Sequence, residues 1–228
     1  MSKIFKEFDT SFEIKTILKD GDQVKVGDVA FTVSGPSITL LSAERLVLNV
    51  MQRMSAIATL TNKYVKELNG LSTKVLDTRK TTPLIRFLEK EAVKIGGGIN
   101  HRYGLYDMVM LKDNHNDFAG GIEKSIIKTV QYLKDNKLNL KIEVETRNID
   151  EVKEVLKIGK IDRIMLDNFT YDDMKKAVKL IDGKYETEAS GGINLKTVRK
   201  YAECGVDYVS VGALTHSVCN MDLSLKAL

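Results

Sequence analysis

The spacing of apolar residues changes period twice along the chain. Between residues 12 and 33 apolar and polar positions alternate: Phe12, Ile14 and Ile17 come before the turn signal Asp20-Gly21, then Val24 and Val26, then Val29, Phe31 and Val33. This period of two predicts an antiparallel meander. From residue 42 the period becomes helical, with Leu46, Val50, Ile57, Leu60 and Tyr64 in step. Ser42 is the predicted N-cap and Asn69-Gly70 the stop signal. Further apolar residues lie between the helical positions, so this helix is expected to be buried on more than one face. From residue 73 onward short apolar runs alternate with amphipathic stretches. Strands are predicted at 74–76, 107–111, 140–145, 163–166, 185–189 and 207–211, and helices near 84–95, 119–135, 148–158, 170–182 and 194–204.

Regular β/α alternation with short connections implies parallel strands wound with one hand. Six such strands are too few for a closed barrel of about eight. The expected fold is therefore α/β: an incomplete, open α/β barrel of about six to seven parallel strands. The domain division expected is 1–70 for the remnant of a truncated N-terminal α/β sandwich with its long helix, possibly joined by 215–228, and 71–214 for the barrel.

Composition narrows the function classes. A 43% hydrophobic, 29% charged chain of 228 residues is ordinary for a globular protein. A net charge of +4 without a Lys/Arg run gives no footprint for nucleic acid. No apolar run approaches membrane-spanning length and no leader pattern opens the chain, so no membrane partner and a cytoplasmic location are expected. Cys204 and Cys219 have no metal-ligand spacing and are expected to be free thiols, and the three histidines make no zinc pattern. Asp20 to Asp28 superficially resembles a biotinyl or lipoyl hairpin, but no Lys stands at a matching tip.

The candidate chemistry gathers between residues 77 and 115. Arg79/Lys80, His101/Arg102 and Lys112 each follow a predicted strand or a glycine turn. Parallel strands share their carboxyl ends, so the three clusters are expected to converge on a small polyanionic ligand, since Arg grips carboxylate or phosphate bidentately. Glu143 and Glu145 lie two apart on one strand and face the same way, and Asp167 ends the next strand. Glu145 and Asp167 are expected at the carboxyl rim, where they either stabilise positive charge on a sugar or pair with a nearby Lys or Arg. Ser190-Gly191-Gly192 and Gly212-Ala213 follow the last two strands, the usual phosphate position in barrels, although a Gly-Gly pair also serves as a plain tight turn. His216 lies close by, either adding a hydrogen bond or packing as a helix-end residue. Arg45, early in the long helix, is either a surface residue or a group donated to a site.

Three blocks carry a family resemblance: Asp77-Thr78-Arg79-Lys80-Thr81-Thr82-Pro83, the run Gly96-Gly97-Gly98-Ile99-Asn100-His101-Arg102-Tyr103-Gly104-Leu105-Tyr106-Asp107, and Leu111-Lys112-Asp113-Asn114-His115. The chain resembles quinolinate phosphoribosyltransferase from about residue 5 to its C-terminus. It departs at Leu84, where the family has Gly. It also lacks a largely helical stretch with which the family begins, so the chain as given is expected to be oligomeric and weakly active unless that segment is supplied. The resemblance implies transfer of phosphoribosyl from 5-phosphoribosyl-1-pyrophosphate to quinolinate, with decarboxylation, and Mg²⁺ carried largely by the substrate phosphates. No protein residue is assigned as a metal ligand. The resemblance implies that Lys80, Lys112, Glu145 and Asp167 are catalytic. Arg79, His101, Arg102 and Lys112 would hold the acid, with Arg45 from the partner subunit of a homodimer or larger homo-oligomer. Lys80 and Asp113 would serve the pyrophosphate, and Ser190, Gly191, Gly192, Gly212 and His216 the phosphate. Two alternatives stay open: a related protein of molybdenum-uptake operons, and a non-catalytic binder.

Overall fold

A computed structural model describes residues 1–227. The chain opens with α1 (Ser2–Phe8), whose Phe5 is fully buried. It continues through β1 (Glu13–Thr16) and β2 (Phe31–Ser34), an antiparallel pair in which Ile14 faces Val33. The meander expected over 12–33 is therefore only a two-stranded ribbon with a long loop. The loop folds back through Gly21 and Gly27, both at positive φ, and leaves Val24, Val26 and Val29 exposed. Phe12, Ile14, Phe31 and Val33 do share one side, packed with Phe5, Ala43 and Val47 into a small core.

Ala43 and Val47 belong to α2 (Ser37–Glu67), a helix of 31 residues. Its N-cap is Pro36, six positions before the expected N-cap Ser42. Ser42 is thus inside the helix, where its hydroxyl donates to the Ile38 carbonyl at 2.9 Å. Proline at the start of a helix forfeits no helical hydrogen bond, so Pro36 is well suited to this position. The N-terminal half of α2 covers the small core, and Ile57, Tyr64 and Leu68 join the main one.

β3 (Lys74–Leu76) leads to α3 (Arg86–Ile95), which lies along α2. The two helices meet at Gly96: a Cβ there would stand 2.4 Å from the Ala58 carbonyl oxygen. Only glycine allows that approach. Then follow β4 (Val109–Leu111), α4 (Asp113–Ala119), α5 (Ile122–Asp135), β5 (Ile142–Thr146), α6 (Ile149–Ile158), β6 (Arg163–Asp167), α7 (Tyr171–Ile181), β7 (Glu186–Ser190), α8 (Val198–Ala202), β8 (Tyr208–Ser210) and α9 (Ala213–His216). Asn148 and Thr170 cap α6 and α7 by accepting from the amides of Glu151 and Asp173, at 3.0 and 3.2 Å. The apolar stripe Met174, Ala177 and Ile181 buries α7 against the sheet.

The helix expected over 119–135 is α5; the short α4 before it, not among the expected helices, is separated from it by Gly120 and Gly121, both at positive φ. The last long helix, expected at 194–204, shrinks to five residues. The parallel strands run in the order β3-β8-β7-β6-β5-β4, with Ile99 bridged to Leu76 beyond β3. The sheet curls without closing: an open α/β barrel. Both cysteines are free thiols.

Candidate active site

Strand register decides what faces the barrel interior. Glu143 pairs with Arg163 and Arg163 with Glu186; Glu145 pairs with Met165, Met165 with Glu188, and Glu188 with Tyr208. Paired residues share a face, so the interior carries charge in place of the usual branched aliphatics. At its lower end Arg163 bridges Glu186 (3.0 Å) and Glu188 (3.1 Å) and stacks 4.2 Å from the Tyr208 ring centroid. Glu143 and Glu188 are fully buried.

Above them, at the carboxyl ends of the strands, opens a cavity of about 830 Å³. Every expected site residue except Arg45 lines it: Arg79, Lys80, His101, Arg102, Lys112, Asp113, Glu145, Asp167, Ser190, Gly191, Gly192, Gly212 and His216. Arg45 lies on an exposed face of α2 and is no part of this chain's own cavity wall.

The cationic side rests on a buried scaffold. Asp77, at the end of β3, accepts from Lys90 Nζ (2.5 Å) and from the His101 amide (2.7 Å), while Lys90 also donates to the His101 carbonyl (3.0 Å). Burial raises the Asp77 pKa and lowers that of Lys90, and each partner's charge offsets the other's shift. The pair locks segment 99–101 beside β3 and so sets Arg102. The Arg79 Nε atom is buried and has no hydrogen-bond partner among the described residues. Burial, and then repulsion from Arg79, lower the Arg102 pKa. Two guanidinium groups crowded in this way, one with an unsatisfied donor, fit a carboxylate ligand.

His101 departs from the expected role of touching the acid directly. Its Nδ1 accepts the Arg102 amide at 2.6 Å, and its Nε2 lies 2.9 Å from Glu143 and 3.2 Å from Glu188, angled away from a straight hydrogen bond to either. Burial lowers the His101 pKa but the two glutamates outweigh it and push it up to about 9; burial and Glu188 push Glu143 up to about 7. The Arg102 amide leaves no room for a proton on Nδ1. The ring therefore carries its proton on Nε2, facing the two glutamates, and His101 and Glu143 titrate as a pair. His101 positions Arg102.

On the opposite rim, Glu145 lies 3.6 Å from Lys112 Nζ and accepts from the Asp113 amide at 3.3 Å. Asp167 has no Lys or Arg partner among the described residues; the Asn168 side chain donates to it at 2.7 Å. The glycine turn beside it is obligatory. Gly191 has φ 97°, and a Cβ there would stand 2.2 Å from the Asn168 side-chain oxygen. Thr215 donates to the Lys80 carbonyl at 2.8 Å, tying the last glycine turn to the first cationic loop.

Some contributors were not singled out from the sequence. Arg53 of α2 reaches Glu89 (2.8 Å), whose carboxylate accepts from the Thr82 hydroxyl (2.8 Å) and amide (3.0 Å), fixing the loop after Lys80. Asn168, Glu188 and Ser210 line the cavity. For Glu188 and Ser210 the signal was the continued alternation of β7 and β8; Asn168 lies just past β6 and outside that alternation. His115 in the third block accepts the Lys112 amide at 3.0 Å and so caps α4.

Comparison with known proteins decides the family. Residues 57–226 match the C-terminal domain model of quinolinate phosphoribosyl transferase, and residues 2–55 match its N-terminal domain model. The chain belongs to the quinolinate phosphoribosyltransferase family. It is 47% identical to quinolinate phosphoribosyltransferase [decarboxylating] 2 of Nicotiana glauca, over 98% of this chain and 67% of that protein. It is 44% identical to the probable nicotinate-nucleotide pyrophosphorylase [carboxylating] of Bacillus subtilis, over 91% of this chain and 70% of that protein. The crystal structure of NadC from Streptococcus pyogenes superposes with a TM-score of 0.92 at 38% identity, covering 99% of this chain and 79% of that one. Leu84, the local departure noted in the resemblance, has φ 69° and is almost fully exposed. A left-handed backbone is the conformation glycine adopts most freely.

No helix among the described residues is long and apolar enough to cross a membrane.

Proposed function

We propose that this chain transfers the phosphoribosyl group of 5-phosphoribosyl-1-pyrophosphate to quinolinate, releasing pyrophosphate and CO₂ and leaving nicotinate mononucleotide, a step of NAD biosynthesis. The observation that carries this reading is the crowded Arg79–Arg102 pair, with a buried, unsatisfied Arg79 Nε, facing Asp167 and a glycine turn across one cavity.

Arg79, Arg102 and Lys112 hold the two carboxylates of quinolinate, and His101 orients Arg102. Arg45 of a second copy completes the clamp in a homo-oligomer. Lys80 and Asp113 serve the pyrophosphate, with Mg²⁺ arriving as part of that substrate. Ser190, Gly191, Gly192, Gly212 and His216 receive the 5′-phosphate through amides and a ring nitrogen. The bond between the anomeric carbon and pyrophosphate breaks with its electron pair leaving on the pyrophosphate. Asp167 and Glu145 stabilise the positive charge that develops on the sugar. The pyridine nitrogen then attacks; the adjacent carboxylate departs as CO₂, its electron pair staying on the ring carbon beside the cationic nitrogen, and a proton from solvent forms the C–H bond of nicotinate mononucleotide there. Positioning and electrostatics suffice for this chemistry, without an enzymic nucleophile.

An acid with one carboxylate leaves part of a desolvated cationic clamp unmatched. Calorimetry is therefore expected to show quinolinate binding at least about tenfold more tightly than nicotinate, with Arg79→Met removing most of the difference. Equal affinities in the unaltered protein would contradict the clamp.

A further inference from the structure

Beneath the clamp lie two glutamates that the transfer chemistry does not use. Glu143 on β5 is fully buried, and neither of its oxygens meets a donor in good hydrogen-bond geometry among the described residues. Glu188 on β7 is equally buried but has Arg163 at 3.1 Å. The groups that bear on Glu143 are His101 from the segment beside β3, Arg163 from β6 and Glu188 from β7, with Arg102 above; its neighbour on β4 is the uncharged Met110.

Ligand atoms of His101, Glu143 and Glu188 lie within 4.8 Å of one another, close enough for a shared metal ion. The hydrogen bonding argues against that. His101 Nδ1 accepts the Arg102 amide, so Nε2 carries the ring proton and offers no lone pair. Arg163 already supplies a cation to Glu188.

We propose that Glu143 is the counter-charge of the acid clamp, a positioning and specificity-determining residue that takes up a proton when a dianionic acid binds above it. This rests on the dicarboxylate reading of the cavity. Without ligand, an ionised Glu143 offsets the repulsion between Arg79 and Arg102, and its charge raises the Arg102 pKa. A bound dianion supplies two negative charges to the same arginines. A further buried anion beneath them then opposes binding, and like charges in a low-dielectric site favour the neutral acid. Protonation demands little of Glu143, because burial and Glu188 have already brought its carboxyl up to about 7. The proton comes from solvent and forms an O–H bond on the carboxyl; no other bond changes. A monoanion neutralises less of the clamp, leaves Glu143 more fully ionised and draws a smaller uptake. The buried glutamate thereby ties the preference for two carboxylates to pH.

Titration calorimetry of the full chain at pH 8, in buffers of different ionisation enthalpy, counts the protons. Quinolinate binding is expected to take up a number approaching one proton per site, and nicotinate fewer. Above neutral pH, quinolinate affinity falls by up to about tenfold per pH unit, and Glu143→Gln flattens that dependence and removes the uptake. Normal binding heat with no proton uptake overturns the proposal. Uptake that persists in Glu143→Gln assigns the proton to another group and overturns it equally. No quinolinate binding at all overturns the dicarboxylate reading, and this inference with it. Should Glu143→Gln not fold, infrared difference spectra of the unaltered protein decide the matter. Quinolinate is expected to produce the carbonyl band of a protonated carboxylic acid, and its absence counts against Glu143.

Discussion

Asp167 and Glu145 share one rim but keep different company, and their expected roles divide accordingly. Glu145 is engaged by Lys112 and the Asp113 amide, whereas Asp167 has only a neutral amide beside it. A carboxylate without a cationic partner is free to respond to charge that appears only in the transition state. Asp167→Asn is therefore expected to lower kcat by about a hundredfold or more while changing KM far less. A folded variant with unchanged kcat would assign Asp167 to structure. At this scale the sequence was informative where strand ends could be read. Arg79, Lys80, Lys112, Glu145 and Asp167 each follow or end an apolar run, and all reach one cavity. It was silent where a side chain turns back into the protein. Nothing in Asn100-His101-Arg102 shows that both ring nitrogens of His101 face protein groups, because those partners come from β5, β7 and the next peptide. Nor could Leu84 be known to sit at positive φ until the loop after Lys80 was placed.

Between residue and molecule, the segment that delivers His101 and Arg102 depends on a single buried ion pair. Asp77 and Lys90 are both essentially inaccessible, and Asp77 also holds the His101 amide. Removing one partner leaves the other charge uncompensated in the interior. Lys90→Met is accordingly expected to destabilise the fold by about 3–5 kcal/mol, measured by denaturant unfolding, with Arg102-dependent binding of quinolinate lost as well. Stability within about 0.5 kcal/mol of the parent would show that the pair does not hold the segment. The parallel strands themselves were legible from their apolar runs, because a buried strand hardly permits another reading. Their polar interior was only partly so. Glu143 and Glu145 are conspicuous two apart, yet Arg163 and Glu188 gain meaning only from the register that sets them in neighbouring layers. The first helix, α1, carries too few apolar positions to be read alone; the burial of Phe5 is decided by Phe12 and Phe31, which pack against it. The short α4 was missed because, with only Asn116 buried, it carries no apolar stripe to mark it.

Across the whole molecule, an open barrel places the ends of all six parallel strands at one mouth, and α2 carries a second, smaller core on its N-terminal half. Regular β/α alternation was sufficient to predict the barrel, since handedness and short connections leave few other windings. The N-terminal ribbon was overestimated as a meander because Val24, Val26 and Val29 alternate as strand residues do while lying in a loop with no strand to pair with. The geometry joins a crowded arginine pair, a carboxylate without a cationic partner and a glycine turn in one cavity, and the proposed function stands on their acting together in a single turnover. The most direct measurement supplies quinolinate labelled in the carboxylate next to its ring nitrogen, with Mg²⁺, and follows label release with and without 5-phosphoribosyl-1-pyrophosphate. The account predicts release of labelled CO₂ only when the sugar substrate is present, in amounts equal to the nicotinate mononucleotide formed. A folded chain that binds both substrates yet releases no label would contradict it.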